Sequence, residues 1–135
     1  MRINGTWTQC DDGVIRPLIA VRVAAANGEW VPAEFLIDTG ADRTVFSAAI
    51  LNQLGLPRLG TTEHLGGPGG TANSALVETQ ISVLNEAGAA VTDTTALDIS
   101  VLGRDILDLF AVIVDRARNV VCLRSQRHTY AIIHE

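Results

Sequence analysis

Apolar residues occur along this chain in short blocks and in alternation with polar ones, with turn residues between the blocks. Residues 14–26 are rich in Val and Ile and run into Asn27-Gly28, the dipeptide of a two-residue hairpin loop, so 29–37 is predicted as the returning strand. Ser47 ahead of residues 48–54 predicts a short capped helix that stops at Gly55, before Pro57. Over 76–84, Leu76, Glu78, Gln80 and Ser82 alternate with Val77, Thr79, Ile81 and Val83, the period of a strand. Asn85-Glu86-Ala87-Gly88 then turns the chain into another predicted strand over about 89–93. Ile99-Ser100-Val101-Leu102 reads as an apolar strand, followed by Gly103 and two helical turns over 104–110. Residues 111–114, the polar turn Asp115-Arg116-Ala117-Arg118-Asn119 and residues 120–123 predict a closing hairpin. No long stretch of Ser, Pro or charge marks a linker, so 1–135 reads as one mostly-β domain with one or two short helices.

One of these strands ends in chemistry. In Phe35-Leu36-Ile37-Asp38-Thr39-Gly40-Ala41-Asp42, three apolar residues lead into an acid, a hydroxyl and a glycine. A strand apolar on both faces needs cover on both sides, which places Asp38 near the centre of the molecule. Gly40 permits a sharp turn after the acid, and a carboxylate held there needs hydrogen bonds or a cationic partner. Arg104 is the candidate partner, because a guanidinium grips a carboxylate with two parallel bonds. The plainer reading of the same residues is an acid that caps a turn and a buried ion pair with no chemistry.

Composition narrows the function classes. With 135 residues, 47% hydrophobic and 19% charged, the chain can bury a core and is not of the disordered class. A net charge of -5 argues against a nucleic-acid partner, since phosphate contacts need clustered Lys and Arg, and aromatic residues for base stacking are only 4%. The ten basic residues are all Arg. Cys10 and Cys122 lie far apart and without metal-ligand spacing, so neither a disulfide framework, a zinc site nor any other cofactor is expected. No apolar run has the length of a membrane span, and a cytoplasmic protein, or a soluble fragment of a longer one, is the expectation.

Taken together, three segments resemble the retroviral-type aspartic proteases, or retropepsins. Asp38-Thr39-Gly40-Ala41-Asp42 looks like their active-site loop, and Leu65-Gly66-Gly67-Pro68-Gly69-Gly70 looks like their glycine-rich flap. Ile99 to Leu107 is similar to their apolar-apolar-Gly-Arg-Asn/Asp segment, with Gly103 and Arg104 in the Gly-Arg places. The likeness extends over roughly 18–123. It implies a retropepsin-like closed, barrel-like acid-protease fold with one lobe per chain. It further implies Asp38, Thr39 and Gly40 as catalytic loop, and Ala41, Asp42 and the flap residues Gly66, Gly67, Pro68, Gly69 and Gly70 as substrate-binding. Arg104, pointed at Asp42, and Gly103 would support the site.

Aspartic proteolysis needs two carboxyls sharing one proton, and this chain has no second Asp-Thr-Gly loop. Asp11-Asp12-Gly13 follows no apolar strand and reads as an ordinary turn. The resemblance therefore implies a homodimer in which Asp38 faces Asp38 of a second copy, Thr39 braces the opposite loop, and a peptide or protein substrate is cut by activated water. Pro68 departs from the family: proline has no N–H to offer at the flap tip, leaving Gly69 as the substitute donor. The apolar segment 129–134 either pairs in the dimer or completes the monomer's sheet. His64, His128 and His134 lack metal or general-base spacing, Ser47 and Ser74 lack a nucleophile elbow, and Asp105 is read as capping and charging the first turn of its helix, with Asp108 further along it. Two other readings stay open: a non-catalytic dimer of the same fold that binds peptide or protein, and a protease that processes only itself or one tethered substrate.

Overall fold

The strand that ends at Asp38 lies between two partners, one antiparallel and one parallel. In the computed structural model, which describes residues 2–57, 62–67, 70–75, 77–83 and 100–125, the elements follow in chain order. They are β1 (Arg2–Asn4), β2 (Thr6–Gln9), β3 (Ile15–Ala24), β4 (Trp30–Ile37), α1 (Ala48–Leu54), β5 (Thr62–Gly67), β6 (Gly70–Ala75), β7 (Ile81–Val83), β8 (Ser100–Leu102), α2 (Arg104–Leu107), β9 (Ala111–Asp115) and β10 (Val120–Arg124). Strands dominate and both helices are short, as the mostly-β retropepsin-like reading requires. Among the described residues the strand hydrogen bonding stays within three sheets: β1-β10-β9, then β2-β3-β4-β8 with β7 also on β3, then the hairpin β5-β6.

β3 is long enough to take β2 beside Ile15 to Leu18 and β7 beside Val21 to Val23, while β4 runs along its opposite edge from Leu18↔Leu36 to Ala24↔Trp30. Alternation puts Ile19, Val21 and Val23 of β3 and Ala33, Phe35 and Ile37 of β4 on one face. Leu54, Leu102, Leu107, Ile3, Val121 and Leu123 complete that core. Phe35 is fully buried and meets the ring of Phe46 edge-on, with centroids 5.9 Å apart. Removing such a side chain from water contributes about 2–3 kcal/mol, so Phe35 anchors the strand that carries the acid.

The first two sheets meet at Gly5. Its N–H donates to the Val121 carbonyl at 2.8 Å, and a Cβ there would lie 2.3 Å from the Leu18 carbonyl oxygen, so only glycine fits between β1 and β2. Trp7 Nε1 donates to the carbonyls of Val120 and Asp115, and the Arg116 guanidinium lies 5.7 Å over its ring. These N-terminal strands carry too short an apolar pattern to be predicted, and their pairing with β10 and β3 forms them.

Local signals set several elements. Ser47 caps α1 by accepting the Ile50 N–H, and Gly55 ends it in the left-handed conformation at φ 60°, as its position after the helix predicts. The β9–β10 hairpin forms as expected. The β3–β4 loop differs from the two-residue form. Gly28 donates to the Ala25 carbonyl and Ala25 donates to the Glu29 carbonyl, so three residues, Ala26-Asn27-Gly28, make the turn. Gly28 has φ 86° but Asn27 is not left-handed; its side chain instead accepts the Glu29 N–H, which favours a type I turn with a bulge at Gly28.

Two predicted elements are shorter than their patterns. Of the strand expected over 76–84, only Ile81–Val83 pairs with β3. Just before it, Gln80 accepts the Ala24 N–H and the Thr79 hydroxyl donates to the Ala24 carbonyl at 2.5 Å, which ends the ladder. The helix expected over 104–110 is regular only through Leu107, and the 109 and 110 amides bond three residues back as the chain tightens into β9. The predicted strand 89–93 and the segment 129–134 lie outside the described residues, as do His128 and His134.

Candidate active site

After Ile37 the chain leaves β4, arches over the end of β8, and comes back along the other edge of β8, where Val45 and Val101 exchange two 2.8 Å hydrogen bonds. The acid stands at the start of this arch. The Asp38 N–H donates to the Leu102 carbonyl at 3.2 Å, and the Asp38 carbonyl accepts the Ala41 N–H at 3.2 Å, which closes a tight turn. The Gly40 N–H donates to Asp38 Oδ1 at 2.9 Å. A Cβ on Gly40 would stand 3.2 Å from that same oxygen, so glycine here leaves room for the carboxylate.

The exposure of the loop corrects one expectation. Asp38 is half-buried and Thr39 and Gly40 are exposed, so the acid is not enclosed at the centre of a single chain. The strand is central, but Asp38 lies past its last buried residue, Ile37, on the open side of the turn. Ala41 is half-buried; its carbonyl accepts the Arg104 N–H at 2.8 Å. Arg104 Nη2 also contacts Asp42 Oδ1, and this pair holds the guanidinium charged more firmly than usual, chiefly through that hydrogen bond. The Arg104 side chain is half exposed and that of Asp42 four-fifths exposed, so the pair lies on the surface, not buried as the plainer sequence reading had it.

Gly103 is required for a different reason. It is buried, and a Cβ on it would lie 2.4 Å from the carbonyl carbon and oxygen of Arg43. The first turn of α2 is thus pressed against the backbone of the arch.

Asp105, read from the sequence as capping and charging its own helix, also holds the arch through Thr44, and neither Thr44 nor Ser100 was singled out by the sequence. The Asp105 carboxylate accepts the Thr44 N–H with both oxygens at 3.0 Å and the Thr44 hydroxyl at 2.7 Å, and it also accepts the Ile106 N–H. The N-cap position of α2 belongs to Gly103, which makes no side-chain cap, so Asp105 serves the arch as well as its own helix. Further along, the Ser47 N–H donates to Ser100 Oγ at 2.8 Å, the one buried polar side chain among the described residues. Nothing local signals these ties, because the partners are 61 and 53 residues apart.

The glycine-rich segment forms a hairpin. β5 and β6 pair from Thr62↔Ala75 to Gly67↔Gly70, which places Gly66, Gly67 and Gly70 at its end. Pro68 and Gly69 lie outside the described residues. Among the described residues no three His, Cys, Asp or Glu side chains gather closely enough to hold a metal ion. Cys10 and Cys122 are buried and free, and among the described residues no helix is long and apolar enough to cross a membrane.

An acid after an apolar strand, in an arch tied to a Gly-Arg turn, defines a class of site, and a family model agrees with it. Residues 23–108 match the family model described as "gag-polyprotein putative aspartyl protease", a span that includes the Asp38 loop, the hairpin and the Gly103-Arg104 turn. The chain belongs to that retropepsin-like family. Among solved structures it is similar to a retropepsin-like aspartic protease from Rickettsia conorii, at 20% identity and a TM-score of 0.47, over 91% of this chain and 89% of that one. No curated protein matches the sequence.

Proposed function

We propose that the chain is an aspartic endopeptidase that works as a homodimer, with Asp38 of each copy supplying one of two carboxyls that share a proton. The observation that carries this reading is the disposition of the Asp38 turn. Its backbone is tied to Leu102 and Ala41 while Thr39 and Gly40 face solvent, open to an identical loop across a two-fold axis. In the dimer one carboxylate takes a proton from the attacking water, and the other carboxyl donates its proton to the carbonyl oxygen of the scissile amide. The tetrahedral intermediate then collapses as the carboxyl that took the water's proton gives it to the amide nitrogen, which leaves as the amine, while the other carboxylate takes back the proton from the former carbonyl oxygen.

Substrate lies as an added strand, its backbone bonded to residues 40–42 and to the hairpin that ends at Gly66, Gly67 and Gly70. With proline at 68, Gly69 is the donor proposed for the lid. The Arg104–Asp42 pair and the close seat of Gly103 hold the loop beneath it.

The test is to incubate the wild type and Asp38→Asn with a diverse peptide mixture between pH 4 and 6, and to map new termini by mass spectrometry. Cleavage by the wild type alone supports the endopeptidase. Absence of cleavage by either, at concentrations where sedimentation shows a dimer, favours the peptide-binding reading instead. New termini confined to the chain itself favour self-processing.

A further inference from the structure

The arch 38–47 is bonded to the segment 100–106 at both of its limbs. At the Asp38 limb two bonds run from backbone to backbone, Asp38 to Leu102 and Arg104 to Ala41, and the Arg104 guanidinium adds a side-chain contact to Asp42. At the far limb Val45 and Val101 exchange two backbone bonds and Ser47 bonds to Ser100, and just before them, at Thr44, a single carboxylate gathers several contacts. Asp105 collects three donors from Thr44 and α2, and the Thr44 hydroxyl that donates to it also accepts the Gly103 N–H at 3.1 Å. The result is a relay, Gly103 N–H to Thr44 Oγ1, and Thr44 Oγ1–H to Asp105, that joins the arch to the first turn of α2.

That turn also carries Arg104, whose N–H and guanidinium hold Ala41 and Asp42. Asp105 therefore sets the orientation of α2 against the arch from one side while Arg104 acts from the other. A carboxylate suits this place because it has lone pairs for all three donors, and charge-assisted bonds are stronger than neutral ones.

We infer that Asp105 is a positioning residue for the Asp38 loop, acting through Thr44. The inference rests on the proposed proteolytic reading for its effect on rate, and on the geometry alone for its effect on the loop. Displacing a reacting group by about 1 Å can lower a rate by about a hundredfold, so loss of this tie acts chiefly on kcat.

The experiment compares wild type, Asp105→Ala, Asp105→Asn, Thr44→Val and the double variant Thr44→Val/Asp105→Ala. Two readouts are taken: steady-state cleavage of a peptide that the wild type cuts, and amide hydrogen exchange of the peptide spanning 38–46. For Asp105→Ala, kcat is expected to fall about tenfold or more with KM changed less than about twofold, and exchange to quicken in 38–46 while β3 and β4 stay protected. Asp105→Asn keeps one acceptor oxygen and is expected to recover most of the loss. The double variant is expected to be no worse than the poorer single, because the two residues act as one unit.

Unchanged exchange in 38–46 overturns the inference. So does exchange that quickens equally through β3 and β4, which marks a general loss of stability. If the wild type cuts nothing, the proteolytic reading fails, and exchange alone decides whether Asp105 positions the loop.

Discussion

The Gly40 amide donates to the Asp38 carboxylate at 2.9 Å, so a backbone group of the turn itself orients the acid before it. The missing side chain matters as much as the bond, since a Cβ at 40 would stand 3.2 Å from Asp38 Oδ1. Gly40→Ala is expected to move the carboxylate with little effect on folding, because the residue is exposed and its backbone needs no left-handed conformation. Cleavage should fall about tenfold or more while the thermal midpoint shifts by only a few degrees. Parallel kinetics and calorimetry check this, and full activity in the alanine variant would remove the orienting role.

Gly103→Ala should behave in the opposite way. The added methyl meets the Arg43 carbonyl at 2.4 Å, and the obstacle is backbone, which cannot rotate aside. We expect a loss of about 3 kcal/mol or more of folding stability, read as a lower urea midpoint, with activity lost in step with folding.

Arg104 separates stability from function. Its pair with Asp42 is exposed, and such pairs are screened by water and salt. Arg104→Ala should leave the unfolding midpoint nearly unchanged, whereas its effect on cleavage should be large and should appear in kcat/KM, since the loop beside Asp42 loses its support. Equal effects on both readouts would show the pair to be structural.

Two acids give stability opposite dependences on pH. The Arg16 guanidinium, bonded to both Asp12 oxygens, and then the Val14 N–H lower the Asp12 carboxyl from 3.8 to about 2. Its folded value is depressed, so its contribution is complete above pH 3.8 and is lost as the pH falls towards about 2. Asp12→Asn should flatten the acid limb of a stability curve measured by urea unfolding.

Glu34 has the reverse sign. Burial raises its pKa above 4.5, and its Oε2 has no hydrogen-bond partner among the described residues, so the fold favours the neutral form. Stability is complete below pH 4.5 and declines as the pH rises through the folded value. Glu34→Gln should raise the thermal midpoint at pH 7 and change it little at pH 4. A lower midpoint at pH 7 would show that Glu34 has an ionic partner.

Much of the site was legible because its parts are local. Residues 35–42 announce a buried strand that ends in a held acid, and Ser47 and Gly55 mark the ends of α1 through the conformations that those side chains favour. The misreadings arose where neighbours compete with local preference. Asn27-Gly28 suits a two-residue loop, but the Asn27 side chain bonds to Glu29 and the turn takes in Ala26. Residues 76–84 alternate like a strand, yet pairing with β3 occupies only the last three described ones.

The sequence by itself determined that a strand of this chain would end in an acid on a glycine turn, because side-chain period and backbone freedom act over a few residues. It also determined that a second acid must come from elsewhere if the chemistry is aspartic proteolysis, since no second loop is present. Only the tertiary structure decided that the acid sits half exposed and that the arch wraps the end of β8. It alone joined Asp105 to Thr44, residues 61 apart whose partnership depends on the parallel pairing of β4 with β8. Contacts at that separation arise from how sheets pack and chains cross, and no local preference of either residue encodes them.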